Sequence, residues 1–335
     1  MRAYVFTGYG DSSAMELREV DAPSPGPGQV QIQVRAAGLN PIDYKTRQGS
    51  VRLINRLVFP AVAGNELAGV VSAVGSGVSR FSTGDRVYAR VDKSQMGAFA
   101  EYAVVAEDLL AAMPSSLTFE QAAGVPLAGL TALQALRDEL AVAKGSKIFI
   151  SGGAGGVGTF AIQLAKWLGA EVATTASVRG AELTKRLGAD VIVDYTTEKF
   201  DDLLHGYDGA FELIGGETLD RAFRILKPGA KIVSVAGRPE PATARLDLKA
   251  GILLTALFWA ISIGTRRKAR RRGITYRYLL MHPSGDDLTL LAGLLDSGKL
   301  EVVLDRTFAF QDIAEAMTYL ESGRAKGKIV VTLEK

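Results

Sequence analysis

The stretch of residues 148–179, IFISGGAGGVGTFAIQLAKWLGAEVATTASVR, decides the fold of this chain. Its glycine run is costly to order, because glycine loses more backbone freedom on folding than any other residue. The glycines fit the pattern G-x-G-x-x-G, with an apolar strand segment before them and apolar residues at helical spacing after them. This order predicts a turn whose bare backbone and helix N-terminus face the pyrophosphate of a dinucleotide. The expected binding residues are Gly153, Ala154, Gly155, Gly156, Val157 and Gly158, and a glycine-rich turn without a ligand is the alternative.

The end of the next strand, TTASVRG, indicates which dinucleotide binds. In an NAD-preferring site an Asp or Glu about twenty residues after the glycines bonds the adenosine ribose. This chain has Ser177 and Arg179 there instead. Because a guanidinium binds the additional phosphate that a carboxylate would repel, the residues predict NADPH as the cofactor. Tyr195, which ends the third strand, is a candidate for stacking near the adenine; a solvated surface arginine and an ordinary strand-end aromatic are the alternatives.

The order of strands and helices predicts an α/β fold in two parts. After residue 146, the apolar segments KIFIS, EVATTAS, VIVDY, GAFELIG, KIVSVAG and TYRYLLM alternate with helical segments, which is typical of a doubly wound parallel sheet. The first third holds short strand segments between glycines, among them QVQIQVRAAG and GDRVYARV, and predicts a small antiparallel barrel or sandwich. We expect the helices and strands after residue 281 to complete this first domain.

Composition narrows the classes of function. The chain has 335 residues, of which 47% are hydrophobic and 22% charged, and its net charge is +3. It contains no cysteine, so thiolate nucleophiles, disulfides, cysteine-ligated zinc and iron–sulfur clusters are excluded. Two histidines, far apart in the sequence, do not suggest a metal site. The first residues lack the pattern of a signal peptide, so we expect a cytoplasmic protein.

One segment combines an apolar run with a cluster of positive charge, although the net charge of the chain is small. The run AGILLTALFWAISIG at residues 250–264 is too short for the roughly 20 residues of a membrane span, and the basic run of residues 266–272 follows it. Such a segment could suit a membrane surface, an anionic substrate or RNA. A helix packed on the parallel-sheet domain, with a solvated basic end, is the favoured interpretation.

The whole chain resembles the medium-chain dehydrogenase/reductase superfamily, in its zinc-free quinone oxidoreductase branch of zeta-crystallin-like and alkenal/enone reductases. The resemblance rests on AAGLNPIDYKTRQG, FPAVAGNELAGVVSAVGSGVSRFSTGDRVYA, GAFAEYAVV, AAGVPLAGLTALQAL, SGGAGGVGTFAIQLAK and ESGRAKGKIVV, in that order. It implies a discontinuous GroES-like catalytic domain at residues 1–120 and 284–335, and a Rossmann NADP(H)-binding domain at residues 121–283. It also implies a cleft between the domains and frequent homodimers.

The resemblance also indicates whether the chain can bind a catalytic zinc. Zinc alcohol dehydrogenases of the superfamily place Cys where this chain has Asn40, and His where it has Asn65 in the segment GNE. Without thiolate or imidazole ligands a catalytic zinc has nothing to hold it, so we expect no metal.

Site residues follow from the resemblance as well. The loop NPIDYK lines the nicotinamide end of the cleft in related reductases, which assigns Asn40, Tyr44 and Lys45 as candidate catalytic residues, with Asp43 bracing the loop. Tyr44 could donate a hydrogen bond or a proton to the substrate carbonyl, and Lys45 could contact that carbonyl or the nicotinamide ribose. A packing aromatic and a solvated surface charge are the alternatives for these two side chains. Water is the alternative proton source. The candidates around the cofactor are Thr131, Ile214, Gly215, Ala236, Gly237, Lys326 and Lys328, the two lysines being alternatively solvated side chains.

These observations predict an NADPH-dependent reductase of quinones or α,β-unsaturated carbonyls, acting on small molecules and assembling as a homodimer. Conjugated acceptors suit a site without metal, because delocalisation spreads the charge that forms on hydride addition. A zinc-free dehydrogenase and an enoyl-thioester reductase are the enzymatic alternatives. A non-catalytic NADPH-binding protein that associates with RNA or membrane through the basic segment is the alternative of another class, although we expect no nucleic-acid partner.

Overall fold

The computed structural model describes residues 1–93 and 95–333. Its strands are β1 (Arg2–Phe6), β2 (Met15–Glu19), β3 (Gln29–Leu39), β4 (Ala61–Val62), β5 (Glu66–Val74), β6 (Arg86–Arg90), β7 (Tyr102–Ala106), β8 (Leu110–Ala112), β9 (Lys147–Ile150), β10 (Glu171–Ala176), β11 (Val191–Asp194), β12 (Tyr207–Glu212), β13 (Leu226–Ser234), β14 (Thr275–Tyr278), β15 (Leu304–Ala309) and β16 (Lys328–Thr332). Its helices are α1 (Pro41–Arg47), α2 (Phe119–Ala123), α3 (Pro126–Leu133), α4 (Gly156–Trp167), α5 (Val178–Arg186), α6 (Phe200–Leu203), α7 (Gly216–Ile225), α8 (Ile252–Arg271), α9 (Gly285–Asp296) and α10 (Ile313–Glu321).

The chain divides into two compact units. The first unit combines Met1–Leu130 with Pro283–Lys335, and the second is Thr131–His282. The predicted fold class, a β-rich GroES-like domain with a doubly wound parallel-sheet domain, is confirmed.

The second unit is built on a parallel sheet with the strand order β11-β10-β9-β12-β13-β14. Each of the six strand segments expected from the sequence contributes one strand. Phe149, Ala210 and Ile232 in its central strands are fully buried, as expected for strands covered on both faces. The strand order reverses between β9 and β12, and sheets of this kind bind ligands at the carboxyl ends of the strands beside such a reversal.

The first unit is organised around the long strand β3. The expected alternation holds in it, because Val30, Ile32 and Val34 are buried while the glutamines between them are half-exposed. Its main sheet has the order β15-β16-β3-β5-β6-β8, with β7 also paired to β3. Strand β16, from the C-terminal part of the chain, pairs antiparallel with β3 and parallel with β15. Segments from the first third and from the C-terminal part of the chain therefore build one sheet, whereas β1 pairs with β2 and β4 in a separate three-stranded sheet.

The division between the units lies inside helix α3, ten residues after the boundary proposed from the sequence. The reason is local packing in the first unit. The amide of Leu127 donates a 2.6 Å hydrogen bond to Oε2 of Glu66, and Leu291 leaves no space for a side chain at Gly129. Helix α2 and the first turn of α3 consequently belong with the β-rich unit.

The apolar and basic run after residue 250 forms helix α8 of the second unit. It packs through Phe258, Ser262 and Ala269, which lie on one side at helical spacing. Among the described residues, none of the helices combines the length and apolar character that crossing a bilayer requires.

Candidate functional site

The glycine loop after β9 leaves a cluster of backbone donors free. Gly153 donates to the carbonyl of Thr175 at 3.1 Å, and Gly155 to that of Gly152 at 3.0 Å. The first helical bond of α4 comes from Thr159. Within the part of the chain that the structure describes, the amides of four loop and helix residues donate no hydrogen bond: Ala154, Gly156, Val157 and Gly158. Free amides at a helix N-terminus form a site for an anion such as a pyrophosphate.

The three glycines of the pattern lack a side chain for different structural reasons. A Cβ at Gly153 would lie 2.2 Å from Oγ1 of Thr174, and one at Gly158 would lie 2.3 Å from the carbonyl oxygen of Gly152. These two positions need glycine for packing. A Cβ at Gly155 would meet no described atom closer than the carbonyl oxygen of Gly152 at 3.4 Å, so packing does not require glycine there. The motif gives another reason for glycine at this position, because a residue without a side chain lets the protein backbone approach the pyrophosphate closely.

The turn after β10 lies directly beside the loop. Ser177 is the N-cap of α5, its side chain makes no capping bond, and Arg179 in the first turn of that helix is exposed. Sequence reasoning missed Gly180, whose missing side chain lets α5 approach the loop: a Cβ there would lie 2.8 Å from Cβ of Ala154. The amide of Tyr195 lies 3.4 Å from the carbonyl oxygen of Ala176 at the end of β10. The N-terminus of α5, which carries Ser177 and Arg179, thus lies next to the glycine loop.

A buried carboxylate that the sequence analysis did not single out supports the turn after β12. Glu212 is fully buried, and its Oε1 accepts hydrogen bonds from the amides of Ile214 at 2.8 Å and Gly215 at 2.7 Å. Its Oε2 accepts from Oγ of Ser234 at 2.9 Å. The motif ELIGG shows that a carboxylate precedes this turn, but only the paired strands show that it also reaches β13.

The same network supports the turn after β13. Oγ of Ser234 accepts hydrogen bonds from the amides of Ala236 at 3.2 Å and Gly237 at 2.9 Å. Glu212 therefore connects two turns that carry four of the predicted cofactor residues. Ile214, 59% exposed, leans over the glycine loop, where its Cδ1 would lie 2.9 Å from a Cβ at Gly152.

The remaining cofactor candidates lie outside these turns. Thr131 is buried in helix α3, and Lys326 is half-exposed in the segment before β16. Lys328 is only 3% exposed, so its alternative interpretation as a solvated lysine is wrong. Its ammonium donates to the carbonyl of Leu39 at 3.1 Å, to Oδ1 of Asn40 and to Oε1 of Glu66 at 2.7 Å. Because all three of its donors are in use within the first unit, a role in binding the cofactor stays a prediction.

The candidate catalytic segment of the first unit begins helix α1. Asn40 is the N-cap, and its amide donates a 2.7 Å hydrogen bond to Oδ2 of Asp43. Oδ1 of the same carboxylate accepts a 2.6 Å bond from Nδ2 of Asn65. Burial raises the pKa of Asp43 to about 6, against the opposing effect of these bonds. Asp43 therefore braces the loop, as expected from the resemblance.

Both polar atoms of the Asn40 side chain also have partners within the first unit. Its Nδ2 donates to Oε1 of Glu66 at 2.7 Å, and its Oδ1 accepts from Lys328. Arg90 lies nearby with its Nε unpaired among the described residues, and burial lowers its pKa. Asn40 is thus held by internal contacts, and its role toward a substrate stays a prediction.

Tyr44 and Lys45 are less constrained. Both side chains are half-exposed on α1, and Tyr44 packs against the hydrophobic core of the first unit. Burial raises the pKa of Tyr44, with a smaller contribution from Glu321. The phenol therefore stays protonated at neutral pH and is able to donate a hydrogen bond.

Two family models match the chain. An alcohol dehydrogenase GroES-like domain matches residues 26–115, and a zinc-binding dehydrogenase domain matches residues 187–331. These matches fall on the β-rich sheet and on the later part of the parallel sheet with the returning C-terminal segment.

Individual relatives cover almost the entire chain. An NADPH-dependent alkenal/one oxidoreductase of Arabidopsis thaliana, named as chloroplastic, is 37% identical over 99% of this chain and 79% of its own length. A 2-methylene-furan-3-one reductase of Solanum lycopersicum is 35% identical over the same shares of the two chains. Among solved structures, the quinone oxidoreductase from Coxiella burnetii superposes with a TM-score of 0.86 at 32% identity, covering 100% of this chain and 99% of that one.

Proposed function

The chain belongs to the medium-chain dehydrogenase/reductase superfamily, and from this membership we propose that it reduces quinones and α,β-unsaturated carbonyl compounds with NADPH. Two relatives that share more than a third of its residues, the alkenal/one oxidoreductase and the 2-methylene-furan-3-one reductase, are named for reactions of this kind. The observation that carries the proposal is the anion site formed by the turn after β10 beside the glycine loop. It fits a dinucleotide with an additional phosphate, since the strand end offers a hydroxyl and a guanidinium.

The chain supports the reaction by binding and orienting its reactants. NADPH, when bound, supplies a hydride. The free amides of the glycine loop bind the pyrophosphate, Ser177 and Arg179 bind the adenosine phosphate, and the turns at Ile214 and Ala236 line the same sheet edge. Tyr44 is our candidate donor to the substrate carbonyl, because hydride addition to a conjugated carbon places negative charge on that oxygen.

We also propose that the reaction needs no catalytic zinc, although the description of one matched family model includes zinc binding. Zinc takes thiolate, imidazole or carboxylate ligands, whereas Asn40 and Asn65 present amides. The ammonium of Lys328 lies 2.7 Å from Glu66, where it would repel a second cation. No group of three metal-ligating side chains occurs among residues 1–93 and 95–333. Dialysis against a chelator is expected to leave the activity unchanged.

The test is a substrate panel. Purified protein with NADPH and alkenals, enones or quinones is expected to consume NADPH, and consumption with enoyl thioesters alone would favour the alternative reductase.

The Tyr44→Phe variant is expected to lower kcat for enones about a hundredfold while leaving NADPH affinity unchanged. Equal kcat values for the two proteins would remove Tyr44 as the donor and indicate protonation by water.

Two further properties stay proposals from the sequence. A homodimer is implied by the family resemblance and is measurable by analytical ultracentrifugation. A cytoplasmic location was expected from the sequence, whereas a relative is named as chloroplastic. Cell fractionation distinguishes these locations.

A further inference from the structure

Helix α8 exposes an apolar surface on its N-terminal turns. The exposed fractions are 84% for Ile252, 85% for Leu253, 51% for Trp259, 40% for Leu257 and 36% for Ile261. Single exposed apolar residues are ordinary, but a continuous group on one helix marks a surface that binds something.

The C-terminal turns of the same helix are cationic. Five basic side chains are exposed in these turns and at the C-cap that follows them, namely Arg267, Lys268, Arg270, Arg271 and Arg272. Only Lys268 has an acidic partner among the described residues, the half-exposed Asp220 at 2.6 Å. The helix itself contains no Asp or Glu. The positive charge of this end is therefore largely uncompensated.

The apolar and cationic residues share one side of the helix. The buried residues Phe258, Ser262 and Ala269 lie on the opposite side. Twenty residues of α-helix extend about 30 Å, so the exposed side is apolar over roughly half this length and cationic over the rest. An occupant of this surface must offer both an apolar medium and negative charge.

A second copy of this chain fits these requirements poorly. If two α8 helices packed antiparallel, the cations of one copy would lie on the apolar turns of the other. If they packed parallel, the two basic ends would repel each other. A lipid surface offers acyl chains and phosphates a few ångströms apart, and tryptophan favours the boundary between them.

We propose that helix α8 docks the protein onto membrane surfaces that contain anionic phospholipids. The apolar turns at residues 252–261 enter the boundary of the acyl chains, and the basic turns at residues 267–272 contact the phosphates. This is attachment to one leaflet and involves no span. The inference does not depend on the reaction assigned above.

Tryptophan fluorescence tests the proposal directly, because the chain has two tryptophans, Trp167 and Trp259. In a full-length Trp167→Phe variant, Trp259 is the sole reporter. Vesicles of phosphatidylcholine with phosphatidylglycerol are expected to shift its emission to the blue and to sediment the protein. Pure phosphatidylcholine is expected to do neither, and raised salt is expected to weaken the binding.

Surface variants separate the two parts of the helix. Neutralising Arg267, Arg270 and Arg271 to Gln is expected to lower vesicle affinity roughly a hundredfold, at about 1 kcal/mol for each basic residue. Ile252→Ser with Leu253→Ser is expected to abolish the blue shift. NADPH oxidation with a water-soluble quinone should stay unchanged in all of these variants.

A matched control is available in the first unit. Leu53 and Val58 are 73% and 87% exposed beside the exposed Arg52 and Arg56. The same Ser and Gln substitutions there are expected to leave vesicle binding intact. Absence of a blue shift with anionic vesicles would overturn the proposal. So would conversion of a dimer to monomers by the Ile252 and Leu253 substitutions, or tighter binding to single-stranded RNA than to the vesicles.

Discussion

Arg179 stands in the first turn of α5, exposed and three residues beyond the end of β10, a strand that carries no terminal carboxylate. On our proposal it binds the phosphate that distinguishes NADPH from NADH. A hydrogen bond between charged groups contributes about 1.5–3 kcal/mol. Arg179→Asp is therefore expected to raise the dissociation constant of NADPH about 10- to 100-fold or more, with a much smaller change for NADH, measured by calorimetry. Lys185→Asp, the same change of charge farther along α5, is the control, and equal weakening of both cofactors would remove Arg179 from the phosphate site.

The buried carboxyl of Asp43 gives the stability of the protein a pH dependence. Burial raises its pKa from 3.8 to about 6, so its protonated form is favoured in the folded state. This contribution is complete below about pH 4 and is lost as the pH rises through 6. Relative to Asp43→Asn, the free energy of unfolding of the wild type should fall by roughly 2–3 kcal/mol between pH 4 and pH 7 in urea titrations. Asp108→Asn, at an exposed carboxyl of the same unit, is the control; parallel curves for wild type and Asp43→Asn would contradict the assignment.

Part of the candidate site was predictable from the sequence because its residues lie close together along the chain. The glycine loop, Ser177 and Arg179 lie within one strand, turn and helix sequence, so spacing alone brings them together. Lys328 could not be interpreted in this way, because its contact with Glu66 joins residues 262 positions apart. An isolated lysine in a basic tail segment has the same sequence appearance whether it is solvated or buried.

At the level of elements, Glu212 connects the carboxyl ends of β12 and β13. Glu212→Gln retains an oxygen for the amides of Ile214 and Gly215. Its new NH₂ group faces Oγ of Ser234, which already accepts two amide bonds. We expect a loss of about 1–3 kcal/mol in the free energy of unfolding, because a buried polar contact is broken. Since the two turns would serve either dinucleotide, the dissociation constants of NADPH and NADH should rise by the same factor.

Calorimetry with both cofactors and chemical unfolding measure these effects. Glu217→Gln, at the exposed start of α7, makes the same chemical change without burial and is expected to alter neither quantity. A variant that lost NADPH but kept NADH would contradict a shared support and would place Glu212 in the recognition of the additional phosphate.

The periodicity of apolar residues predicted where the strands and helices lie, but it did not predict which of their side chains are exposed. Each segment expected to form a strand of the parallel sheet does so, because its apolar run is bounded by turn residues. Helix α8 was expected to pack on the sheet domain with only its basic end solvated. That interpretation is wrong for the N-terminal turns, where Ile252 and Leu253 are more than four-fifths exposed. An apolar run has no helical periodicity from which its buried side could be chosen.

For the whole molecule, the sequence predicted two domains. The structure adds the strand pairing that connects the C-terminal segment to the first domain. The tail was expected to complete the first domain, but neither its partner strand nor its register could be derived. Strand β16 lies between β15 and β3, with Val330 paired to Gly38. Strand pairing depends on contacts hundreds of residues apart, which local patterns do not encode.

This pairing predicts that damage near the C-terminus unfolds the N-terminal sheet. Val330 is fully buried in β16, so Val330→Asp places an unpaired charge beside β3 and is expected to cost more than about 4 kcal/mol. Hydrogen exchange should then accelerate in residues 29–39 and 66–74, while residues 147–176 of the second unit keep their protection. Arg324→Asp, at an exposed position shortly before β16, is the control and should leave both regions protected. Equal loss of protection in the two units would mean that they unfold as one cooperative body. If the units unfold independently, the parallel sheet of the second unit must keep its exchange protection after the sheet that contains β16 has lost its own.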